Sequence, residues 1–131
     1  MATLTKFNCF VEDLAEKKHN LGSDTLTIAL CAAANAPTAS NTVLANLTQI
    51  SYTNLSSRAV TTTSSAQTSG TYKRVLADLV LTASGSVGPF RYAVLYNDTA
   101  TNDELIGYVD YGPDITLANL ETLTIDFDGP A

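Results

Sequence analysis

FRYAVLY at residues 90–96 and LIGYVDY at residues 105–111 are the parts of this sequence that decide the fold. Both segments are rich in aromatic and β-branched side chains, which favour extended strands. Between them, NDTATND at residues 97–103 is a dense run of turn formers, because Asn, Asp and Thr side chains hydrogen-bond nearby backbone groups. The pattern predicts an antiparallel hairpin with a long tip.

Further strand patterns flank this hairpin. TLTIAL at residues 25–30 alternates hydroxyl and apolar side chains and predicts a half-buried strand. YKRVLADLVLT at residues 72–82 and TLTIDF at residues 122–127 also alternate, and Gly112-Pro113-Asp114 predicts a turn after the central hairpin. Strands separated by turns, without long helices between them, indicate a mainly β fold: an antiparallel β-sandwich or a jelly-roll-like barrel.

One or two short helices are expected in the N-terminal half. Phe7, Phe10, Val11 and Leu14 have the spacing of one helical face, so residues 1–20 form an N-terminal arm or a short helix. Residues 42–49 predict a second short helix. Residues 56–70 are almost entirely Ser, Thr, Ala and Gln and fit either a linker or, over residues 58–63, an edge strand. The length of 131 residues predicts a single β domain, 1–131.

The composition excludes several classes of function. Charged residues make up only 15% of the chain, the net charge is −6, and serine and threonine together number 29. A negative charge opposes binding to phosphate backbones, so we expect no nucleic-acid partner. No apolar run in the sequence approaches the length of a membrane span, so we expect no membrane partner. The surface is built from hydroxyls and amides.

Residues that carry chemistry are few. His19 is the only histidine and is predicted to be an exposed loop residue, while Cys9 and Cys31 are predicted to be buried, reduced thiols. No nucleophile, phosphate-binding or zinc motif is present, so we predict no enzyme, no catalytic residue, no metal and no cofactor.

Acidic and aromatic side chains at the central hairpin leave alternatives open. Asp98, Asp103 and Glu104 at its tip favour structural turn chemistry, with a calcium site as the alternative. The tyrosines of the two strands favour sheet packing, with a contact surface as the alternative because Tyr is enriched at interfaces; they are Tyr92, Tyr96, Tyr108 and Tyr111.

The sequence resembles small structural proteins from the virions of tailed double-stranded DNA bacteriophages. The most specific part is GPFRYAVLYNDTATNDELIGYVDYG at residues 88–112, and DTLTIAL at residues 24–30 with Ala36-Pro37 fits the opening of the same family. Residues 117–127, LANLETLTIDF, fit its close. The chain departs from the family at Tyr108-Val109, where a bulkier aromatic pair is usual.

The resemblance implies a head decoration (cement) protein that binds the outer surface of the mature capsid and is made in the host bacterial cytoplasm. Its partners would be the major capsid protein and other copies of itself, as a trimer or, second, a dimer. The expected interface residues are Phe7, Phe10, Tyr92 and Tyr108. The alternatives are another virion component (tail, connector or fibre base) and a receptor- or carbohydrate-binding module that uses the tip at residues 97–104.

Overall fold

The computed structural model describes residues 4–127. It is 48% strand and 10% helix, and its sheets are antiparallel. The mainly β, sandwich-like prediction is therefore confirmed. The elements are β1 (Leu4–Lys6), α1 (Cys9–Ala15), β2 (Leu26–Cys31), β3 (Ala59–Val60), β4 (Thr62–Thr68), β5 (Thr71–Leu76), β6 (Leu79–Thr82), β7 (Val87–Asn97), β8 (Leu105–Leu117) and β9 (Thr122–Ile125), with 3₁₀ turns at Ala33–Asn35 and Leu44–Asn46.

The central sheet has five strands in the order β1-β8-β7-β2-β3. Its longest pairing is the β7–β8 hairpin, which confirms the hairpin predicted from residues 90–111. The turn predicted at Gly112-Pro113-Asp114 is wrong, because β8 continues through these residues to Leu117. Gly112 has a φ of +84°, which glycine adopts without steric cost, so the strand bends there and does not end.

The first strand pairs with the eighth near the opposite end of the sequence. Leu4 lies opposite Val109, and Lys6 lies opposite Gly107. A Cβ atom at Gly107 would lie 3.0 Å from the backbone oxygen of Thr5. The absence of a side chain at this position therefore allows β1 to approach β8.

The central sheet is covered on both faces. The β6–β9 pair covers one face, where Leu81 and Ile125 belong to the same buried cluster as Ile28. The other face carries a second cluster around Phe7 and Val94. All six residues of β2 are buried, so the half-buried strand predicted for residues 25–30 is wrong. A central strand between two covered faces buries its hydroxyl and small side chains as well as its leucines.

The N-terminal helix forms, but with a different buried face. Phe7 lies before the helix and is fully buried, whereas Val11 and Leu14 on the helix are 57% and 42% exposed, so the four residues do not form the single buried helical face that was predicted. Asp13 is the helical residue that is buried. The second predicted helix is reduced to a single 3₁₀ turn, in which the Asn46 side chain accepts hydrogen bonds from the backbone N–H groups of Thr42 and Val43.

The Ser/Thr-rich segment forms strands and not a linker. β3 is an edge strand of the central sheet, as the edge-strand alternative predicted. β4 and β5 form a separate two-stranded sheet joined by Ser69 and Gly70. Both residues have positive φ angles, 51° and 82°, as the two central residues of a type I′ hairpin turn require.

Candidate functional site

Of the four expected interface residues, two are buried and two are partly exposed. Phe7, Tyr92 and Tyr108 come together on one face of the central sheet, and the Phe7 and Tyr108 ring centroids are 5.1 Å apart. Phe7 has no exposed side-chain surface, and Tyr92 is also buried. Phe10 is half-buried, with its ring centroid 5.4 Å from that of His19. Only Phe10 and Tyr108 of the four retain substantial surface for a partner, and their interface role stays a prediction.

Sheet packing explains the tyrosines of β7. Tyr92 and Tyr96 are buried in the cluster around Phe7, as the packing interpretation predicted. Burial raises the pKa of Tyr96, since ionisation would place a phenolate in an apolar environment. These rings therefore stabilise the central hairpin from within.

The tip of the central hairpin uses its polar side chains to hold its own backbone. The Oδ1 atom of Asn97 accepts hydrogen bonds from the backbone N–H groups of Thr99 and Ala100, both at 3.0 Å. Asp98 accepts a hydrogen bond from the hydroxyl of Thr27. The Asn97 contacts are turn chemistry of the predicted kind, but the Asp98 carboxylate contacts β2, and the predicted turn role of Asp103 and Glu104 stays a prediction. Within residues 4–127, no group of three His, Cys, Asp or Glu side chains is arranged to hold a metal ion.

His19 lies at the centre of a buried polar cluster, so its prediction as an exposed loop residue is wrong. The imidazole is 5% exposed, and its Nδ1 atom is 3.0 Å from the Nδ2 atom of Asn97. Asn97 Nδ2 also donates to the Asp24 carboxylate at 2.7 Å, and Asn97 is completely buried. Asp13 and Glu104 are buried nearby and act electrostatically on the imidazole. We call these five residues the polar cluster.

The hydrogen bonds of Asn97 determine the tautomer of the neutral His19 ring. Because Oδ1 accepts from two backbone N–H groups, the amide orientation is determined and Nδ2 must be the donor to His19. His19 Nδ1 is therefore an acceptor, and the proton of the neutral ring lies on Nε2, which is buried and has no hydrogen-bond partner among residues 4–127. Burial lowers the pKa of His19 in spite of the neighbouring carboxylates.

Helix α1 connects this cluster to the surface. The Lys18 ammonium lies 3.2 Å from the buried Asp13 carboxylate, while Lys18 itself is exposed to solvent.

Cys9 and Cys31 are both free; Cys31 is buried and Cys9 is half-buried. Burial raises the pKa of each thiol to about 11. Both thiols are therefore poor nucleophiles near neutral pH.

An open groove lies beside the polar cluster, between α1, the loop that follows it and β5. Its volume is about 630 Å³, and its walls are formed by Leu14, Lys17, His19, Asn20, Leu21, Gly22 and Tyr72. Leu14 and Tyr72 are 42% and 48% exposed, and Val11 lies one helical turn before Leu14. The groove and the exposed side of α1 make a largely apolar surface, which we call the α1 surface.

Sequence reasoning missed both the polar cluster and the α1 surface. The burial of His19 depends on Asn97, which lies 78 residues away in the chain, and nothing around His19 indicates that contact. One signal was available: an Asn at the end of a strong strand, directly before a turn, often fixes the turn with its side chain. No comparable signal marked Val11 and Leu14 as exposed.

Comparisons with models of known protein families, with curated proteins and with solved structures found no match. Within residues 4–127, no helix has the length and apolar character needed to cross a membrane.

Proposed function

We propose that this chain is a head decoration (cement) protein of a tailed bacteriophage, which binds the outer surface of the mature capsid and stabilises it through protein–protein contacts. The observation that carries the proposal is the α1 surface. Leu14 and Tyr72 line the groove and, together with Val11 one helical turn before Leu14, leave large apolar areas in contact with solvent. Contiguous exposed apolar surface typically marks a site of protein association.

The energetics favour a role for this surface in binding. Fully burying a Val or Leu side chain contributes about 1.5–3 kcal/mol, so covering the exposed halves of Val11 and Leu14 contributes about 1 kcal/mol each. A single copy therefore gains little, but a lattice that binds many copies gains in proportion to their number. A small gain per copy, repeated over many copies, suits a protein that covers a repetitive shell.

The charge distribution supports a partner made of protein. Only 15% of the residues are charged, and the net charge of −6 opposes attachment to packaged DNA. Lys17 lies at the groove, while the ammonium of Lys18 is paired with the carboxylates of Asp13 and Glu16. We infer that the major capsid protein presents an apolar segment to this surface.

The proposed mechanism is selective binding to one state of the shell. A ligand that binds only the mature lattice stabilises that lattice by an amount that increases with its concentration over Kd. The protein would accordingly be located on the outside of the virion, after synthesis in the host cytoplasm. Because its task is to bind and not to react, it would require no catalytic residue.

Attachment to heads tests the role of the α1 surface. Particles assembled with a Leu14→Asp variant should retain at least about tenfold less of this protein than wild-type particles, since a carboxylate would replace the apolar contact. Val80→Asp is the matched control, because Val80 is 52% exposed on β6 and lies outside the groove. Equal retention of both variants would contradict the proposed binding surface.

Copy number tests the decoration role itself. Quantitative mass spectrometry of purified virions should find hundreds of copies, in a fixed ratio to the major capsid protein. A few copies per particle would overturn decoration in favour of a connector or tail component. Strong hits on a glycan array, in the absence of such copies, would favour receptor binding.

A further inference from the structure

The β4–β5 hairpin exposes two open sheet edges. β4 pairs only with β5, and within residues 4–127 the backbone of β4 makes no hydrogen bond to any other strand. Five of the seven residues of β4 are exposed. A two-stranded hairpin alone is marginally stable in water, and a third strand or a packed face is needed to hold it.

Polar contacts attach one side of this hairpin to the body of the protein. The Arg74 guanidinium contacts the Asp24 backbone oxygen and the Thr62 hydroxyl. The Ser65 hydroxyl donates to the Leu21 backbone oxygen at 3.4 Å, a weak bond. These contacts fix the position of the hairpin but leave the outer edge of β4 uncovered.

Three other strands, β1, β3 and β8, have edges that are less suited to pairing. β1 and β3 have three and two residues, too short to offer much backbone for pairing. Beyond its pairing with β1, β8 carries Asp110, Pro113 and Asp114. Charges and prolines of this kind normally prevent association through strand edges. β4, with the sequence TTSSAQT, has seven residues without a charge or a proline.

We propose that β4 is a self-association edge, at which the strand pairs antiparallel with β4 of a second copy of this chain across a two-fold axis. The product is a continuous four-stranded sheet in the order β5-β4-β4-β5. The inference does not depend on the capsid role. Of the two oligomeric states expected from the sequence, it selects the dimer over the trimer, because a two-fold contact closes at two copies.

Charge identifies the second copy as the occupant. A two-fold axis places like strands opposite each other, so a charged strand would oppose its own charge. β4 has no charge, and its small and hydroxyl side chains are compatible with copies of themselves. The same pairing through β5 would bring Lys73 of one copy near Lys73 of the other. The uncharged strand is therefore the one suited to pairing with itself.

Gln67 provides a precise test of this pairing. Thr68 and Thr71 flank the two-residue turn as a hydrogen-bonded pair, so the next pair, Gln67 and Tyr72, directs its backbone groups away from the hairpin. Proline at position 67 removes an outward N–H group from each copy and leaves the β4–β5 hydrogen bonds in place. Alanine at the same position retains that N–H group. Both variants lose the side-chain contact with the Gly70 N–H group.

Sedimentation equilibrium over a range of protein concentrations measures the outcome. Wild type and Gln67→Ala should form dimers with similar Kd, while Gln67→Pro should raise the dimer Kd at least about tenfold through the loss of two hydrogen bonds. Circular dichroism at low concentration checks that the variants are folded. A wild type that stays monomeric at millimolar concentration, or a dimer equally tight in Gln67→Pro, would overturn the proposal.

A pair of charge variants tests the identity of the contact independently. Ala66→Lys and Ala66→Glu should each weaken the homodimer, because each places like charges at the shared edge, and mixing them should restore association as a heterodimer. Failure of the mixture to associate more tightly than either variant alone would contradict pairing through β4. Raised salt should tighten the wild-type dimer, since each copy carries a net charge of −6.

Discussion

The two hairpins of this protein have the same topology and opposite environments. The β7–β8 hairpin forms the centre of the main sheet, and every residue from Tyr92 to Asn97 is buried. The β4–β5 hairpin has no fully buried residue. The difference lies in the side chains. Aromatic and aliphatic residues fill both faces of the β7–β8 hairpin, while β4 of the other hairpin carries mainly Ser, Thr and Ala, which provide little apolar area. Turn geometry is enough to form a hairpin, but apolar area determines whether it becomes a core.

Shortening one side chain in each hairpin should give the largest difference between them in lost free energy of unfolding. Phe90 is fully buried in β7, and Phe90→Ala should lower the free energy of unfolding by about 3–5 kcal/mol through lost burial and a cavity. Thr63→Ala on exposed β4 should change it by less than about 0.5 kcal/mol. Urea denaturation measures both. Similar losses would show that the hairpins contribute equally and that the comparison is mistaken.

The buried hairpin depends on polar contacts at its tip as well as on apolar packing. Asn97→Ala removes two accepted and two donated hydrogen bonds inside the protein, and should lower the free energy of unfolding by about 2–3 kcal/mol. Gln67→Ala, which removes one exposed side-chain contact in the other hairpin, is the control and should cost less than about 0.5 kcal/mol. Equal costs in thermal or urea unfolding would contradict the structural role of the polar cluster.

The polar cluster should also make the free energy of unfolding depend on pH, and this effect should be smaller than that of Asn97→Ala. The pKa of His19 is lowered from 6.5 by burial, so the unfolded chain binds a proton at a higher pH than the folded chain. Stability should therefore fall as the pH is lowered below about 6.5, and level off with respect to this group below its folded pKa.

Urea denaturation between pH 7 and pH 5 measures this effect, with about pH 6.5 as the upper boundary of the window. A His19→Gln variant removes the titrating group and should show a flatter profile across that window. The carboxylates of the cluster, Asp13, Asp24 and Glu104, and the ammonium of Lys18 remain in the variant and serve as the internal reference. An unchanged profile in His19→Gln would show that another group is responsible.

The smallest expected effect lies in the turn of the exposed hairpin. Ser69 has a φ of 51°, a conformation that asparagine tolerates better than serine. Ser69→Asn should create the Asn-Gly turn that type I′ hairpins favour and stabilise β4–β5 by up to about 0.5 kcal/mol. Hydrogen exchange of the β4 amides should slow, with no change in β7. Uniform slowing in both hairpins would instead show that they unfold together.

The sequence predicted the β7–β8 hairpin well because its signal is local. FRYAVLY is apolar and β-branched enough to specify a strand by itself, and Asn97 marks its end. Phe7, Phe10, Val11 and Leu14 illustrate the limit of such reasoning. A helix does form over Cys9–Ala15, but Phe7 lies before it and packs on Tyr108, about a hundred residues away, while Val11 and Leu14 on the helix stay exposed.

The functional features depended even more on distant parts of the chain. His19 lies among lysines in the sequence, which is typical of an exposed turn, yet Asn97 and Asp24 enclose it. The α1 surface arises because the β4–β5 hairpin folds back beside the helix, where Tyr72 completes the groove. No periodicity within one segment reports contacts between segments, so neither feature could be predicted from local patterns.

The pairing of β1 with β8 has a consequence for when the protein can fold during its synthesis. Leu4 cannot pair with Val109 until that residue has been synthesised, so β1 has no partner in the sheet until about a hundred further residues have been added. Closing so long a loop is slow compared with forming the local β7–β8 hairpin. The central sheet is therefore completed only after β8 has been synthesised, and until then Phe7 lacks the Tyr108 ring against which it packs.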